Sequence, residues 1–330
     1  MLTLAIPVYN MEALLKRCMD AMLAQTCRDY EIILIDDGST DASGALCDGY
    51  AAECPDFIRA IHKPNGGLSS ARNAGIDAAG GEFIIFPDPD DWVEPEYVQR
   101  LLELQKEHNV DLICTGYYIA TDEASIPGSA DAEPVFLTAE EARRGLLLPP
   151  RMNGFAWNKL YRLDIIRKHG LRFLDDVGTT EDLDFAYRYL AFAKSVCYAP
   201  AYRTYHYYQR PGAATHSGYS PQKLGSIRTY EKIAADSADP ELQKAAGDEI
   251  CVTAVNLLWA WERGDRADKA GRKMLLALVR RYLHVHLASR RYGLGRKLQA
   301  LAAAVSPKLF TRLKNATQKY NSRSYGCRYP

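Results

Sequence analysis

The residues best suited to chemistry in this chain are acidic and polar clusters that each follow a short apolar run. The runs occupy residues 2–6, 32–35 and 83–86, and after them come Pro7-Val-Tyr-Asn10, Asp36-Asp-Gly-Ser39 and Pro87-Asp-Pro-Asp-Asp-Trp92. Short β-rich runs separated by helical patterns read as strands of a parallel sheet. Ligands of open α/β sheets bind outside the carboxyl ends of the strands. Asp36, Asp37, Asp88, Asp90 and Asp91 are therefore expected to converge on one edge. Charge at that density is costly without a cation, so the expected site is metal-dependent and takes a phosphorylated ligand.

Each cluster has a plainer alternative. In Asp88-Pro-Asp90, alternating residues can aim two carboxylates at one hard cation, magnesium or manganese, that also holds phosphate oxygens; a simple Asp/Pro turn is the competing account. The string Asp36-Asp-Gly-Ser-Thr-Asp41 suits a strand–turn–helix junction capped by Ser39 or Thr40. One cap leaves the paired carboxylates unexplained, and a carboxylate accepting a nucleobase N–H would account for Asp37. Asn65-Gly-Gly places pliant backbone at a helix start, where a ligand can approach closely. It is neither a dinucleotide fingerprint nor a Walker A loop.

The elements that must position these residues follow from periodicity. Asn10 is a good helix cap, and Leu14, Leu15, Cys18, Met19 and Met22 then recur at helical spacing. Helices are expected over 42–53, 66–79, 95–108 and 180–193, with strands at 57–61, 111–116 and 196–198. Repeated βα units over the first ~115 residues imply a doubly wound, mostly parallel sheet with helices on both faces. Residues 121–134 read as a loop or excursion, 209–213 as a loop, and everything from about 221 onward as helical. There is no internal repeat.

Composition bounds the rest. The 330 residues, 47% hydrophobic and 25% charged, are those of an ordinary folded protein large enough for one or two domains. A net charge of zero hides an asymmetry: from Arg263 onward there are 17 lysines and arginines against two aspartates. That segment carries about +15, balanced by about −15 elsewhere. Eight cysteines without Cys-x-x-Cys spacing are expected to be reduced core residues. No leader peptide and no spanning segment are expected, which makes a cytoplasmic protein the default.

In this order, the strings Ile6-Pro-Val-Tyr-Asn10, Ile35-Asp-Asp-Gly-Ser-Thr-Asp41, Asn65-Gly-Gly-Leu-Ser-Ser-Ala-Arg-Asn-Ala-Gly75 and Phe86-Pro-Asp-Pro-Asp-Asp-Trp92 resemble the family 2 glycosyltransferases of the GT-A fold. Trp157-Asn-Lys-Leu-Tyr161 and Glu181-Asp-Leu-Asp-Phe185 look like later motifs of the bacterial, non-processive members. The match covers roughly residues 1–215, read as a GT-A domain with a nucleotide-sugar half over about 1–115 and an acceptor half over about 116–215. Residues 216–330 then form a basic helical region. The family's Leu-Asp-Ser-Asp-Asp string is here Phe86-Pro-Asp-Pro-Asp-Asp91, which stiffens the backbone and keeps the carboxylates. The processive Gln-x-x-Arg-Trp motif is absent: Pro211 follows Gln209-Arg210.

The resemblance implies transfer with inversion from a nucleotide sugar, usually a UDP-sugar, to a saccharide or lipid-linked saccharide in bacterial surface-polysaccharide assembly, with Mn2+ or Mg2+ as cofactor. By carry-over, Pro7 through its backbone, Tyr9, Asp37, Asn65 and Arg72 would hold the donor's nucleoside. Asp88 would meet the ribose or the metal, Asp90 the metal and diphosphate, and Arg210 a phosphate. Asp182 is the expected base, with Asp184 its competitor and Glu181 beside it; a first-turn acid at a helix start is the plainer account of both. Trp157, Lys159 and Glu181 would line the acceptor side, unless Trp157 is core, and His206 or His216 could supply a third metal ligand. Ala213 replaces a common serine, moving any hydroxyl contact to Thr215 or Ser217. The basic region suits either an anionic membrane surface, placing the protein peripherally on the inner face, or a solvated face of a packed subdomain. Nucleic acid is not an expected partner. Competing identities are a sugar-1-phosphate nucleotidyltransferase, which lacks its glycine-rich basic loop here, and an inactive nucleotide-sugar-binding scaffold.

Overall fold

The computed structural model describes residues 1–149, 151–210, 218–306 and 310. The chain divides into two compact units, one built from residues 1–175 and 181–213, the other from 176–180 and 214–330. The expected boundary near residue 215 lies outside the described residues, as do His216, Thr215, Ser217 and the loop at 211–213. That five residues just before the Glu181 helix belong to the second unit is not legible in the sequence.

In the first unit the strands are β1 (Leu2–Val8), β2 (Tyr30–Asp36), β3 (Ile58–His62), β4 (Phe83–Ile85), β5 (Trp92–Val93), β6 (Leu112–Ala120), β7 (Ser125–Pro127), β8 (Val135–Thr138), β9 (Lys159–Arg162) and β10 (Ser195–Tyr208). Its helices are α1 (Leu15–Leu23), α2 (Ser43–Glu53), α3 (Gly67–Ala78), α4 (Tyr97–His108), α5 (Ala139–Gly145), α6 (Leu163–Lys168) and α7 (Glu181–Tyr189). All ten strands form one sheet in the order β3-β2-β1-β4-β9-β6-β10-β5, with β7 beside β6 and β8 beside β10. The block β3-β2-β1-β4 is parallel, as βα repetition demands. β9 enters antiparallel between β4 and β6, and β10 runs parallel to β6. β1 and most of β2 are buried on both faces, which explains their unbroken apolar runs.

Two local details fix the geometry of the sheet's carboxyl edge. A Cβ on Gly75 would stand 2.8 Å from the Ala5 Cβ, so only glycine lets α3 lie this close to β1. Gly38 adopts φ +72°, and a Cβ there would meet the Asn65 amide nitrogen at 2.8 Å. Asn10 does not cap α1, which begins five residues later. Its φ is +53°, and its side-chain oxygen accepts from the Thr40 amide instead, joining the first two strand-end loops. α2 likewise takes its first-turn acceptors from Asp41 and Glu12 rather than from Ser39 or Thr40.

Residues 121–134 include the short strand β7, and the expected strand at 196–198 is the start of the fourteen-residue β10. The register of β10 against β6 shifts on both sides of Arg203, allowing the aromatic stretch to continue in the sheet after a bulge.

The second unit contains a 3-10 turn (Pro221–Leu224) and helices α8 (Gly225–Asp236), α9 (Pro240–Arg263), α10 (Lys269–Ala288) and α11 (Leu294–Val305). Its core joins Ile250, Cys251, Ala254 and Leu258 of α9 to Leu275 and Val279 of α10 and Ala303 of α11. Residues 176–180 are tied into this unit by the Thr179 amide donating to Ser226 Oγ and by the Thr180–Thr229 hydroxyl pair. No helix among the described residues is long and apolar enough to cross a membrane.

Candidate active site

The loop after β4 carries the acidic cluster. Asp88, Asp90 and Asp91 each present a carboxylate oxygen, and the three oxygens lie within 4.8 Å of one another. The turn is set by the Asp91 amide donating to the Asp88 carbonyl at 3.2 Å. Its base is Tyr205 of β10, whose hydroxyl accepts from the Asp88 amide and donates to Asp91 at 2.7 Å. Asp91 also accepts from the Tyr208 amide, so this buried carboxylate is committed to structure. Arg17 of α1 donates to the Asp90 carbonyl at 2.6 Å and lies over the Trp92 ring. Neither Arg17 nor Tyr205 could have been assigned to the site from its local sequence.

Beneath the cluster lies Arg72 of α3, 1% exposed. It donates to Asp88 Oδ1 at 3.0 Å, forms a short ion pair with Asp182 of α7, and approaches Glu181 at 4.0 Å. The other Asp182 oxygen accepts from the Ala156 amide at 2.9 Å. One buried guanidinium thus spans the carboxylate after β4 and the carboxylate at the start of α7. This corrects the expectation for Arg72: buried under the carboxylates, it has no surface to offer a nucleoside. On the far side of the cluster, Arg210 Nε lies 2.9 Å from Asp90 Oδ2.

The electrostatics follow from this crowding. Burial, reinforced by Asp90 and Asp182 and opposed by Arg72, pushes the Asp88 carboxyl up to about 7. Burial and the neighbouring Asp182 push Glu181 up to about 7 as well, and Asp91 is also raised by burial and by Asp88 and Asp90. A divalent cation fits the donor set. Among the described residues, one oxygen each of Asp88 and Asp90 has no hydrogen-bond partner, and both are hard donors at a site with surplus negative charge.

The other strand-end acids do not join the cluster. Asp36 is held by the Ser39 amide and by His62 Nδ1 at 2.9 Å. The Asp37 carboxylate, 3% exposed, accepts from the amides of Gly66 and Gly67 and from Lys63. It builds the Asn65-Gly-Gly loop instead of offering a free acceptor to a base. Asn65 donates to the Asp37 carbonyl and stays exposed, as does Tyr9 at 45%, whereas Pro7 is buried within β1.

Packing decides four further expectations. Trp157 is core: it is 2% exposed and stacks on Tyr205 at 4.7 Å between centroids. Lys159 is fully buried, its ammonium donating to the Phe155 carbonyl at 2.8 Å and to Asn158, so neither side chain lines an acceptor surface. His206 has both ring nitrogens engaged, with Ser125 at 3.0 Å and Glu94 at 2.7 Å, and its ring is stacked between Trp92 and Tyr118. It offers no nitrogen to a cation. Asp184 pairs with Arg188 one turn along α7 and is buried, which removes it as a competitor to Asp182.

With this geometry in place, likeness to known proteins is informative. The family model described as glycosyl transferase family 2 matches residues 3–170, just over half of the chain. The chain belongs to glycosyltransferase family 2. Two relatives from Bacillus subtilis (strain 168), whose names carry the word glycosyltransferase, are similar to it. EpsH is 36% identical over 207 residues, covering 62% of this chain and 60% of EpsH. EpsJ is 35% identical over 225 residues, covering 67% of this chain and 64% of EpsJ. The matched region thus spans about three fifths of those relatives' length. Among solved structures, residues 1–349 of S. aureus TarS, in complex with UDP-GlcNAc, superpose with a TM-score of 0.65 at 16% identity, covering 97% of this chain and 92% of that one. This likeness establishes the GT-A fold of the family 2 domain.

Proposed function

We propose that this protein is an inverting glycosyltransferase that moves a sugar from a UDP-sugar to a hydroxyl of a saccharide or lipid-linked saccharide in cell-surface polysaccharide synthesis. The observation that carries this reading is Arg72, which holds Asp88 and Asp182 on one buried guanidinium. Two carboxylates with different tasks are thereby fixed next to each other: one on the side of the acidic cluster, the other at the start of a helix.

In this reading Asp88 and Asp90 would hold Mn2+ or Mg2+, which would supply charge neutralisation for the leaving diphosphate. Arg210, which lies 2.9 Å from Asp90, would meet a diphosphate oxygen. Asp182 takes the proton from the acceptor hydroxyl as its oxygen attacks the anomeric carbon. The bond from that carbon to the diphosphate breaks on the opposite face, its electron pair leaves with UDP, and configuration inverts. Asn65, Tyr9 and the Pro7–Tyr9 backbone lie at the strand ends expected to meet the nucleoside, with Asp37 shaping that loop from behind. The basic stretch over 263–330 would hold the protein against the anionic inner face of a membrane, where a lipid-linked acceptor is presented.

The test is UDP release across a panel of UDP-sugars with Mn2+, Mg2+ or chelator, in wild type and Asp182→Asn. Loss of general base catalysis should cost on the order of 10²–10⁴-fold in rate with donor-induced thermal stabilisation retained. Wild-type turnover in Asp182→Asn would remove Asp182 from the mechanism. Absence of stabilisation by any nucleotide sugar would remove the donor assignment.

A further inference from the structure

We propose that the helical unit carries a second ligand site, a cationic groove along α10 that binds an organic phosphate with at least two negative charges. It goes beyond the transfer reaction and does not depend on it.

The groove has a volume of about 620 Å3, within the range of small-molecule sites. Lys269, Arg272, Lys273, Leu276, Ala277 and Arg280 line it, at offsets 0, 3, 4, 7, 8 and 11, which is one continuous face of a helix. The opposite face buries Leu275, Leu278 and Val279 in the core of the unit, so packing fixes which way the basic face points. Trp261 and Glu262 at the end of α9, with Arg266 from the turn between the helices, complete the lining.

Five cations therefore surround one carboxylate. Glu262 is already spent: Arg272 donates to it at 3.3 Å, and Arg266 lies 3.7 Å from its other oxygen. Among the described residues Arg280 donates only to the neutral Ala304 carbonyl. Lys269 and Lys273 are exposed, with no ion-pair partner among the described residues. Three positive charges on one helical face are thus left uncompensated, and like charges at this spacing work against the helix. A multiply charged anion is the ligand that offsets them. Two of the lining arginines are preorganised, which lowers the entropic cost of binding. Arg272 sits 5.2 Å above the Trp261 ring, and Arg266, at φ +60°, is clasped by two bonds to the Glu262 carbonyl. The Trp261, Leu276 and Ala277 surface provides an apolar floor for carbon attached to the phosphate.

The same chemistry is presented by an anionic lipid headgroup and by a free phosphate, and the test separates them. Full-length protein in chelator, without nucleotide, is titrated calorimetrically with inorganic pyrophosphate. It is then sedimented with vesicles of phosphatidylcholine alone or containing cardiolipin, whose headgroup carries two phosphates. The expected result is that Lys269→Gln/Lys273→Gln weakens binding at least tenfold. Lys244→Gln/Arg290→Gln, which removes equal charge elsewhere on the unit, should change it less than twofold. Loss confined to the vesicle arm identifies a lipid headgroup, and loss in the pyrophosphate arm a free phosphate. No binding of either probe by wild type, or equal weakening by both double variants, overturns the proposal. Because the readout is binding without donor, such a failure leaves the transfer reaction standing.

Discussion

Arg72 is the residue on which the acidic site depends most directly. Its guanidinium is desolvated and survives there because two carboxylates surround it. Arg72→Met keeps the bulk but leaves Asp88 and Asp182 facing each other without a counter-charge. We expect a loss of about 3 kcal/mol in stability, read by urea denaturation, together with loss of sugar transfer. Full activity in that variant would show that the bridge is incidental. A pH prediction belongs at the same scale. Asp88 and Glu181 both sit at about 7, above their ordinary values, so the folded state favours their protonated forms. Their contribution to stability is complete below the ordinary carboxylate range and is lost as pH rises through about 7. A divalent cation favours the ionised forms. The rise in melting temperature on replacing EDTA by Mn2+ should therefore be larger at pH 8 than at pH 6; the reverse order would mean that the cation binds elsewhere.

Elements place these side chains through close backbone contacts. α3 carries Arg72 three residues before Gly75, and Gly75 is where that helix touches β1. Gly75→Val would drive two methyl groups into the Ala5 and Ile35 side chains, at a cost of about 1–3 kcal/mol, partly offset by better helix propensity. The expected outcome is net destabilisation with a reduced transfer rate, because tilting α3 withdraws Arg72 from its partners. A variant as stable and active as wild type would show that the contact can relax. α5 offers a control away from the site: its Thr138–Glu141 capping box makes both reciprocal bonds. Thr138→Ala should cost about 1 kcal/mol in denaturation midpoint while leaving donor binding unchanged.

At the scale of the whole molecule, two of the hydrophobic clusters among the described residues are built on different principles. One is a mixed sheet covered by helices, and the other is a set of packed helices. Neither uses a disulfide among the described residues, where seven cysteines are free and five of them buried. Melting temperature is therefore expected to be the same with and without reductant, and a large shift would reveal a bridge. The charge asymmetry acts at this scale too. The basic surplus after Arg263 is gathered partly on one face of α10, so binding to anionic surfaces should weaken steeply with added salt.

The sequence by itself determined the parallel half of the sheet and the family. Apolar runs buried on both faces leave little freedom, and strand-end acids follow them directly. It also put forward Asp88, Asp90 and Asp182 as candidates, each with a turn or a helix first turn as its plainer account. It could not assign partners to side chains. Whether Arg72 meets a ligand or two acids depends on α3 and α7 coming together from 110 positions apart. Nor could it place the rings: Trp157, weighed for the acceptor side, is buried against Tyr205, and His206, weighed as a metal ligand, is stacked between Trp92 and Tyr118. The antiparallel insertion of β9 was equally invisible. A four-residue strand carries no directional signal, and only the gap between β4 and β6 gives it one.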